Sequence, residues 1–153
     1  MSSALTRIVA TFFYTGYLPL IPGTFGTAAG LGVFLLLRPG WGAQLLLLAV
    51  FTALGFIFSG KAEKLFSVKD PKYVVIDEVA GIFLTFLFVP WDLRVILIGF
   101  ILFRVLDTVK PYPADKLQDL PGSAGIMLDD LVAAAYANII LQIVTRFLLH
   151  LHY

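Results

Sequence analysis

The chain has 153 residues, enough for one domain, and 59% of them are apolar while only 14% carry charge, against roughly a quarter charged in an ordinary soluble domain. So little polar material cannot cover a water-soluble surface, and a mean hydropathy of +0.93 makes lipid the expected solvent. A formal net charge of +1 from scattered basic residues excludes a nucleic-acid footprint, and the lack of cysteine excludes disulfides, thiolate metal sites and a cysteine nucleophile.

In chain order, the N-terminal MSSALTRIVATFFYTGYLPLIPG carries Arg7 before a short apolar stretch. No small-residue cleavage site follows, so the segment is expected to be retained. Hydrophobic segments are expected over about 28–37, 42–59, 73–89, 93–106 and 131–149. They predict an all-α, polytopic membrane bundle of about four to five hydrophobic helices, with residues 1–153 forming one membrane-embedded domain. The first segment is too short to cross alone and the fourth is marginal, which leaves room for tilting or an interfacial position. Asp70 before Pro71 predicts the start of the third helix, two turns ahead of Asp77, and Asp92 predicts the start of the fourth. Lys110 before Pro111 predicts the fourth helix's end, because proline cannot continue it.

If the segments alternate in direction, RPGW (38–41) and PWD (90–92) turn on one side of the membrane. The other side then collects Arg7, Lys61, Lys64, Lys69, Lys72, Arg104, Lys110 and Lys116, against Arg38, Arg94 and Arg146 opposite. The positive-inside bias makes the richer side cytoplasmic.

The same zigzag gathers the unusual polar residues at the cytoplasmic ends. Asp77 and Glu78 interrupt the third apolar run; Arg104, Asp107 and Lys110 recur every three residues on one helical face; Asp129 and Asp130 open the last segment, with Asn138 nearly on the face of Asp130. Adjacent carboxylates point about 100° apart on a helix, so one of each pair can face a cleft. Two acidic pairs on different helices suit a hard divalent cation such as Mg²⁺. His150 and His152 fall in the tail on the far side, so zinc is not indicated. Arg104 and Lys110 beside such an ion could offset the charge of a phosphate ester. PGTFGT (22–27) precedes a helix; its glycines allow backbone amides, and Thr24 and Thr27 offer hydroxyls, toward an anion. It is not a P-loop, because no GKT or GKS follows.

Each pattern also has a purely structural reading. Asp77 and Glu78 could complement a helix dipole or pair with Arg104 or Lys110, Asp129 and Asp130 could cap a helix start, the basic ladder could meet lipid headgroups, and PGTFGT could be a capped turn. In the last helix, small residues at 133, 134, 135 and 137 favour close helix packing.

PGTFGT, VVIDEVAG, FRVLDTVKPYP and GIMLDD, in that order and at these separations, resemble the phosphatidylglycerophosphatase A family from about residue 16 to residue 138. The resemblance implies an all-helical, Mg²⁺-dependent membrane phosphatase that converts phosphatidylglycerophosphate to phosphatidylglycerol and phosphate. It implies Asp77, Glu78, Asp107, Asp129 and Asp130 as catalytic equipment. Ser123 and Ala134 depart from the glycines frequent in relatives, which bears on loop shape and helix contact.

Together these readings predict a bacterial-type inner-membrane enzyme of phospholipid synthesis, multi-pass, with its active site facing the cytoplasm. Asp77, Glu78, Asp129 and Asp130 would hold Mg²⁺. Thr24, Gly26, Thr27, Arg104 and Lys110 would hold the phosphate, and Asp107 would orient Arg104 or Lys110 or act as base. The lipid substrate and surrounding membrane lipids are the expected partners, with no nucleic acid. The competing class is a small ion or proton transporter, which predicts acids through the whole membrane depth rather than at one end. A headgroup transferase is disfavoured because the DxxDG…AR…G…D pattern is missing.

Overall fold

The computed structural model describes residues 2–148, and seven α-helices build it: α1 (Ser3–Ala10), α2 (Pro22–Leu37), α3 (Trp41–Phe66), α4 (Ile76–Thr85), α5 (Leu93–Val109), α6 (Ala114–Leu117) and α7 (Ser123–Ile143). No strand occurs among the described residues. The all-α expectation stands, with fewer full-length spans than the four to five expected. Among the described residues, only α3 and α7, the latter extended by the wider turn Val144–Leu148, are long and apolar enough to cross a membrane. The α2 and α5 helices, at 16 and 17 residues, reach about 24–26 Å at ~1.5 Å per residue, short of a ~30 Å hydrocarbon layer.

The apolar run 73–89 is a different object from the span its composition suggests. Only ten residues are helical, and all except Leu84 are buried, because α4 packs against α2, α3 and α7 at once. Protein rather than lipid surrounds it. Gly26 and Gly30 of α2 let the two backbones approach, since a Cβ on Gly30 would sit 3.0 Å from the Val79 Cα and one on Gly26 would collide with the Val75 side chain.

A short buried helix leaves carbonyls that need donors where no water reaches. Gln44 Nε2 of α3 donates to the Phe83 carbonyl at 3.0 Å, and Asn138 Nδ2 of α7 donates to the carbonyls of Thr85 and Leu87 at 3.0 and 2.7 Å. Gln142 in turn donates to Asn138 Oδ1 at 2.8 Å. Asn138 thus terminates α4 from a neighbouring helix. Ala133, Ala134 and Ala137 are fully buried on α7, in keeping with close packing. Ser123 opens α7 and its hydroxyl accepts the Gly60 amide at 2.8 Å, so the serine ties α7 to α3.

Helix directions alternate as the zigzag requires. At one end the turns after α2 and α4 meet: Phe34 stacks on Trp91 at 4.7 Å, the Arg38 guanidinium lies 6.0 Å from the Trp91 ring, and Trp41 meets Phe88 edge-on at 5.7 Å. There Asp92 caps α5, accepting from the Arg94 amide at 2.8 Å, and the Arg94 guanidinium holds its carboxyl down to about 2. The opposite end carries the starts of α2, α4 and α7 and the end of α5.

Three helix starts differ from expectation. The α2 helix starts at Pro22 rather than near 28, so PGTFGT is its first turn and a half rather than a loop before it. The α4 helix starts at Ile76, not Pro71: residues 67–75 are irregular, Asp70 has φ 46°, and the Val75 amide donates to the Ala10 carbonyl at 2.9 Å. Asp77 and Glu78 are therefore in the first turn of α4. Conversely, α7 begins at Ser123, so Asp129 and Asp130 lie nearly two turns inside it rather than at its start. His150 and His152 lie outside the described residues.

Candidate active site

Four helix ends and one connector enclose a cleft of about 320 Å³, lined by residues 21–24 at the start of α2, Asp70, Pro71, Lys72 and Val74 of the connector, Asp77 and Glu78 of α4, Arg104, Asp107, Thr108 and Lys110 of α5 and its cap, and Ile126, Asp129 and Asp130 of α7. Each acid arrives by helix register. On α4 the first turn points both carboxylates at the cleft, where the helix's unpaired amides favour negative charge. On α7 Asp129 and Asp130 reach the same space from the second turn, after Gly122 with φ 64° reverses the chain.

One oxygen each from Asp77, Glu78 and Asp130 lies within 4.8 Å of the others, while Asp129, expected as a fourth ligand, is outside this group and accepts from Lys110 instead. The three grouped side chains are 6%, 8% and 4% exposed. Asp77 Oδ1, Glu78 Oε2, Asp129 Oδ1 and Asp130 Oδ2 are buried and accept no hydrogen bond. Buried anionic oxygens without donors are costly. A hard cation removes that cost: ligand oxygens around Mg²⁺ at 2.0–2.1 Å span up to about 4.2 Å, so a few tenths of an ångström of side-chain adjustment would suffice. The donor set, all carboxylate oxygen, fits Mg²⁺ or Ca²⁺ rather than a soft metal.

The basic residues stand opposite. Arg104 Nη1 donates to Asp107 Oδ2 at 2.6 Å and to the Thr27 hydroxyl at 3.3 Å, and Thr27 donates back to the Gly23 carbonyl at 2.9 Å. The arginine is thereby held from two sides. Asp107 also stands against Asp130, which links the acidic and basic halves of the cleft. Lys110 donates to Asp129 Oδ2. Partial burial works against the Lys110 charge, but the Asp129 hydrogen bond and the surrounding carboxylates prevail and raise its pKa above the usual lysine value. Gly23 sits where these groups meet: a Cβ there would lie 2.5 Å from Glu78 Oε1 and 3.2 Å from Arg104 Nη2.

Charge decides what the cleft can hold. Asp70, Asp77, Glu78, Asp107, Asp129 and Asp130 supply six carboxylates against three cations, Lys72, Arg104 and Lys110. With every group ionised, that excess of three negative charges repels a phosphate, and a divalent cation offsets most of it.

All five acids expected from the sequence line the cleft, as do Thr24, Arg104 and Lys110. Gly26 and Thr27 lie outside the lining: Gly26 is packed on Val75, and buried Thr27 stands behind Arg104. Three polar lining residues fall outside the expected site set. Lys72 and Asp70 carried only a weak signal, charges in a loop on the correct side. Thr108 carried none.

The family model described as Phosphatidylglycerophosphatase A matches residues 8–145. A Haemophilus influenzae protein named phosphatidylglycerophosphatase A is 36% identical over 88% of this chain and 85% of its own length. The Escherichia coli protein of the same name is 30% identical over 90% of this chain and 82% of its own. A Bacteroides thetaiotaomicron protein, named as a candidate phosphatidylinositol-3-phosphatase, is 32% identical over 92% of this chain and 94% of its own. No solved structure matches the chain. With the four motifs built into one acidic cleft and a family match over nearly its whole length, the chain belongs to the phosphatidylglycerophosphatase A family.

Proposed function

We propose that the chain hydrolyses the terminal phosphate monoester of phosphatidylglycerophosphate, giving phosphatidylglycerol and inorganic phosphate, with Mg²⁺ held by Asp77, Glu78 and Asp130. The observation that carries this reading is the convergence of those three carboxylates, each with a buried oxygen lacking a donor, beside Arg104 and Lys110 in one cleft. Bound there, the ion supplies Lewis-acid polarisation of the phosphoryl oxygens. The Arg104 guanidinium, oriented by Asp107 and Thr27, binds two phosphoryl oxygens through its fork. Lys110 adds a point charge, and the free amides in the first turn of α2, with the Thr24 hydroxyl, close the phosphate's third side. Asp129 keeps one oxygen on Lys110 and has the other free, which places it to take the proton as water adds to phosphorus. The ester P–O bond breaks as the new one forms, and the departing glycerol oxygen takes up a proton from water while Asp129 returns its own to solvent.

The chain is read as a multi-pass protein of a bacterial-type inner membrane with the cleft facing the cytoplasm. Exposed Leu36, Leu46, Leu93, Leu97 and Ile139 on the outer helix faces suit lipid contact. The lysines concentrate on the cleft side, as the positive-inside bias requires. A shallow cleft suits a lipid whose headgroup meets water while its tails stay in the bilayer.

Purified protein in detergent, given phosphatidylglycerophosphate, is expected to release phosphate with Mg²⁺ and to stop when EDTA is added. Full activity in EDTA would remove the ion from the mechanism, and no release under either condition would remove the activity. The same assay with phosphatidylinositol 3-phosphate compares the two substrate names its relatives carry.

A further inference from the structure

A second concavity, of about 470 Å³, runs along α5 and is lined by Thr24, Phe100, Ile101, Arg104, Val105, Thr108 and Val109. It shares Thr24, Arg104 and Thr108 with the acidic cleft. Two stripes on α5 form its floor. Phe100, Arg104 and Thr108 repeat every four residues on one, and Ile101, Val105 and Val109 on the other. Thr108 donates its hydroxyl to the Arg104 carbonyl at 2.8 Å, so this polar residue offers the groove mainly its methyl group. Ile101, Val105 and Val109 are 61%, 51% and 68% exposed. Arg104 marks the boundary: its head is bound into the cleft by Asp107 and Thr27, while its stem lines the groove.

We propose that this groove seats an acyl chain of the lipid substrate, which enters sideways between α2 and α5 so that its phosphate reaches Arg104 as its tail lies along Ile101, Val105 and Val109. The proposal rests on the hydrolase reading above and adds where the diacylglycerol part binds. Three observations select this occupant: the groove is continuous with the phosphate cleft, it changes from polar to apolar within one turn of α5, and it extends from Val109 back to Phe100, about 13 Å at ~1.5 Å per residue. That is long enough to hold a substantial length of one chain. Water or a soluble headgroup would gain nothing from so apolar a wall.

The test compares a dioleoyl lipid phosphate with its deacylated, water-soluble counterpart. In Val105→Trp and Ile101→Trp, whose indoles fill the groove, the ratio of kcat/KM for the dioleoyl to the deacylated substrate is expected to fall at least tenfold below that of the unmodified protein. An unchanged ratio would overturn the proposal. A second measurement needs no variant: a non-hydrolysable phosphonate analogue with a photoreactive acyl chain is expected to label residues 101–109, and phosphatidylcholine with the same chain is expected not to. Labelling mainly of α3, or equal labelling by both lipids, would make the groove ordinary lipid-facing surface. Failure of the unmodified protein to hydrolyse either substrate would count against the hydrolase reading itself, which separates the two claims.

Discussion

Gly23 offers a perturbation whose effect can be worked from the coordinates. In Gly23→Ala the new Cβ would stand 2.5 Å from Glu78 Oε1 and 3.2 Å from Arg104 Nη2. Carbon and oxygen rest at about 3.3–3.6 Å, so the carboxylate must retreat by roughly 1 Å, taking one corner of the proposed cation site with it. Displacements of that size at a reacting centre cost on the order of 100-fold in rate. The clashing atoms are ends of side chains that can swing, and alanine in a helix gains about 0.5–1 kcal/mol over glycine. Stability should therefore stay near that of the unmodified protein. Gly30→Ala is the matched control. Its Cβ would meet the Val79 backbone at 3.0 Å, which cannot swing, so overpacking should cost about 1–3 kcal/mol while the folded fraction keeps its turnover. The assay is phosphate release beside thermal unfolding in detergent. Normal kcat in Gly23→Ala, or a thermal loss matching Gly30→Ala, would refute the placement of Glu78 against α2.

Asn138→Leu strips donors from two carbonyls at the end of α4; at about 1–3 kcal/mol per buried group left unpaired, a loss of roughly 2–6 kcal/mol is expected by denaturant titration, and a loss under 1 kcal/mol would mean the carbonyls find other partners. Lys110→Met leaves Asp129 buried beside other acids, and about 2–3 kcal/mol is expected, below the ~3–5 of fully enclosed pairs because Lys110 remains partly open to water. The raised Lys110 pKa means that the lysine's own titration removes this stabilisation only as pH rises from about 10.4 through the still higher folded value; on the alkaline side the stability difference between Lys110→Met and the unmodified protein should therefore shrink only above about pH 10.4, and its loss between about pH 8 and 10 would contradict the pairing. Because the chain has no cysteine, Lys69→Cys is expected to react with an impermeant maleimide only from the cytoplasmic side and Arg94→Cys only from the other; the reverse pattern would invert the orientation.

The sequence carried the site better than the fold that makes it. Asp77, Glu78, Asp129 and Asp130 could be recognised because charge inside apolar runs is costly and needs a reason. Helix alternation alone then placed them at one end. What could not be read was which apolar run faces lipid. The 73–89 stretch has the composition of a span, yet α4 is ten residues enclosed by three helices, and composition does not distinguish burial in protein from burial in a bilayer. The Pro71 start failed for a related reason. Residues 67–75 are irregular because partners distant in sequence hold them, Val75 by Ala10 and Tyr73 against Gly16. Asn138 looked like part of the polar face of Asp130; its true partners, the Thr85 and Leu87 carbonyls, are more than 50 residues away in sequence.

The central claim, that two helices share one divalent cation through Asp77, Glu78 and Asp130, is tested most directly with Mn²⁺ as a spectroscopic stand-in. Titration followed by electron paramagnetic resonance is expected to show bound ion in the unmodified protein and at least about tenfold weaker binding in Glu78→Gln and Asp130→Asn, with helix content by circular dichroism unchanged. Equal Mn²⁺ binding by the protein and both folded variants would contradict it.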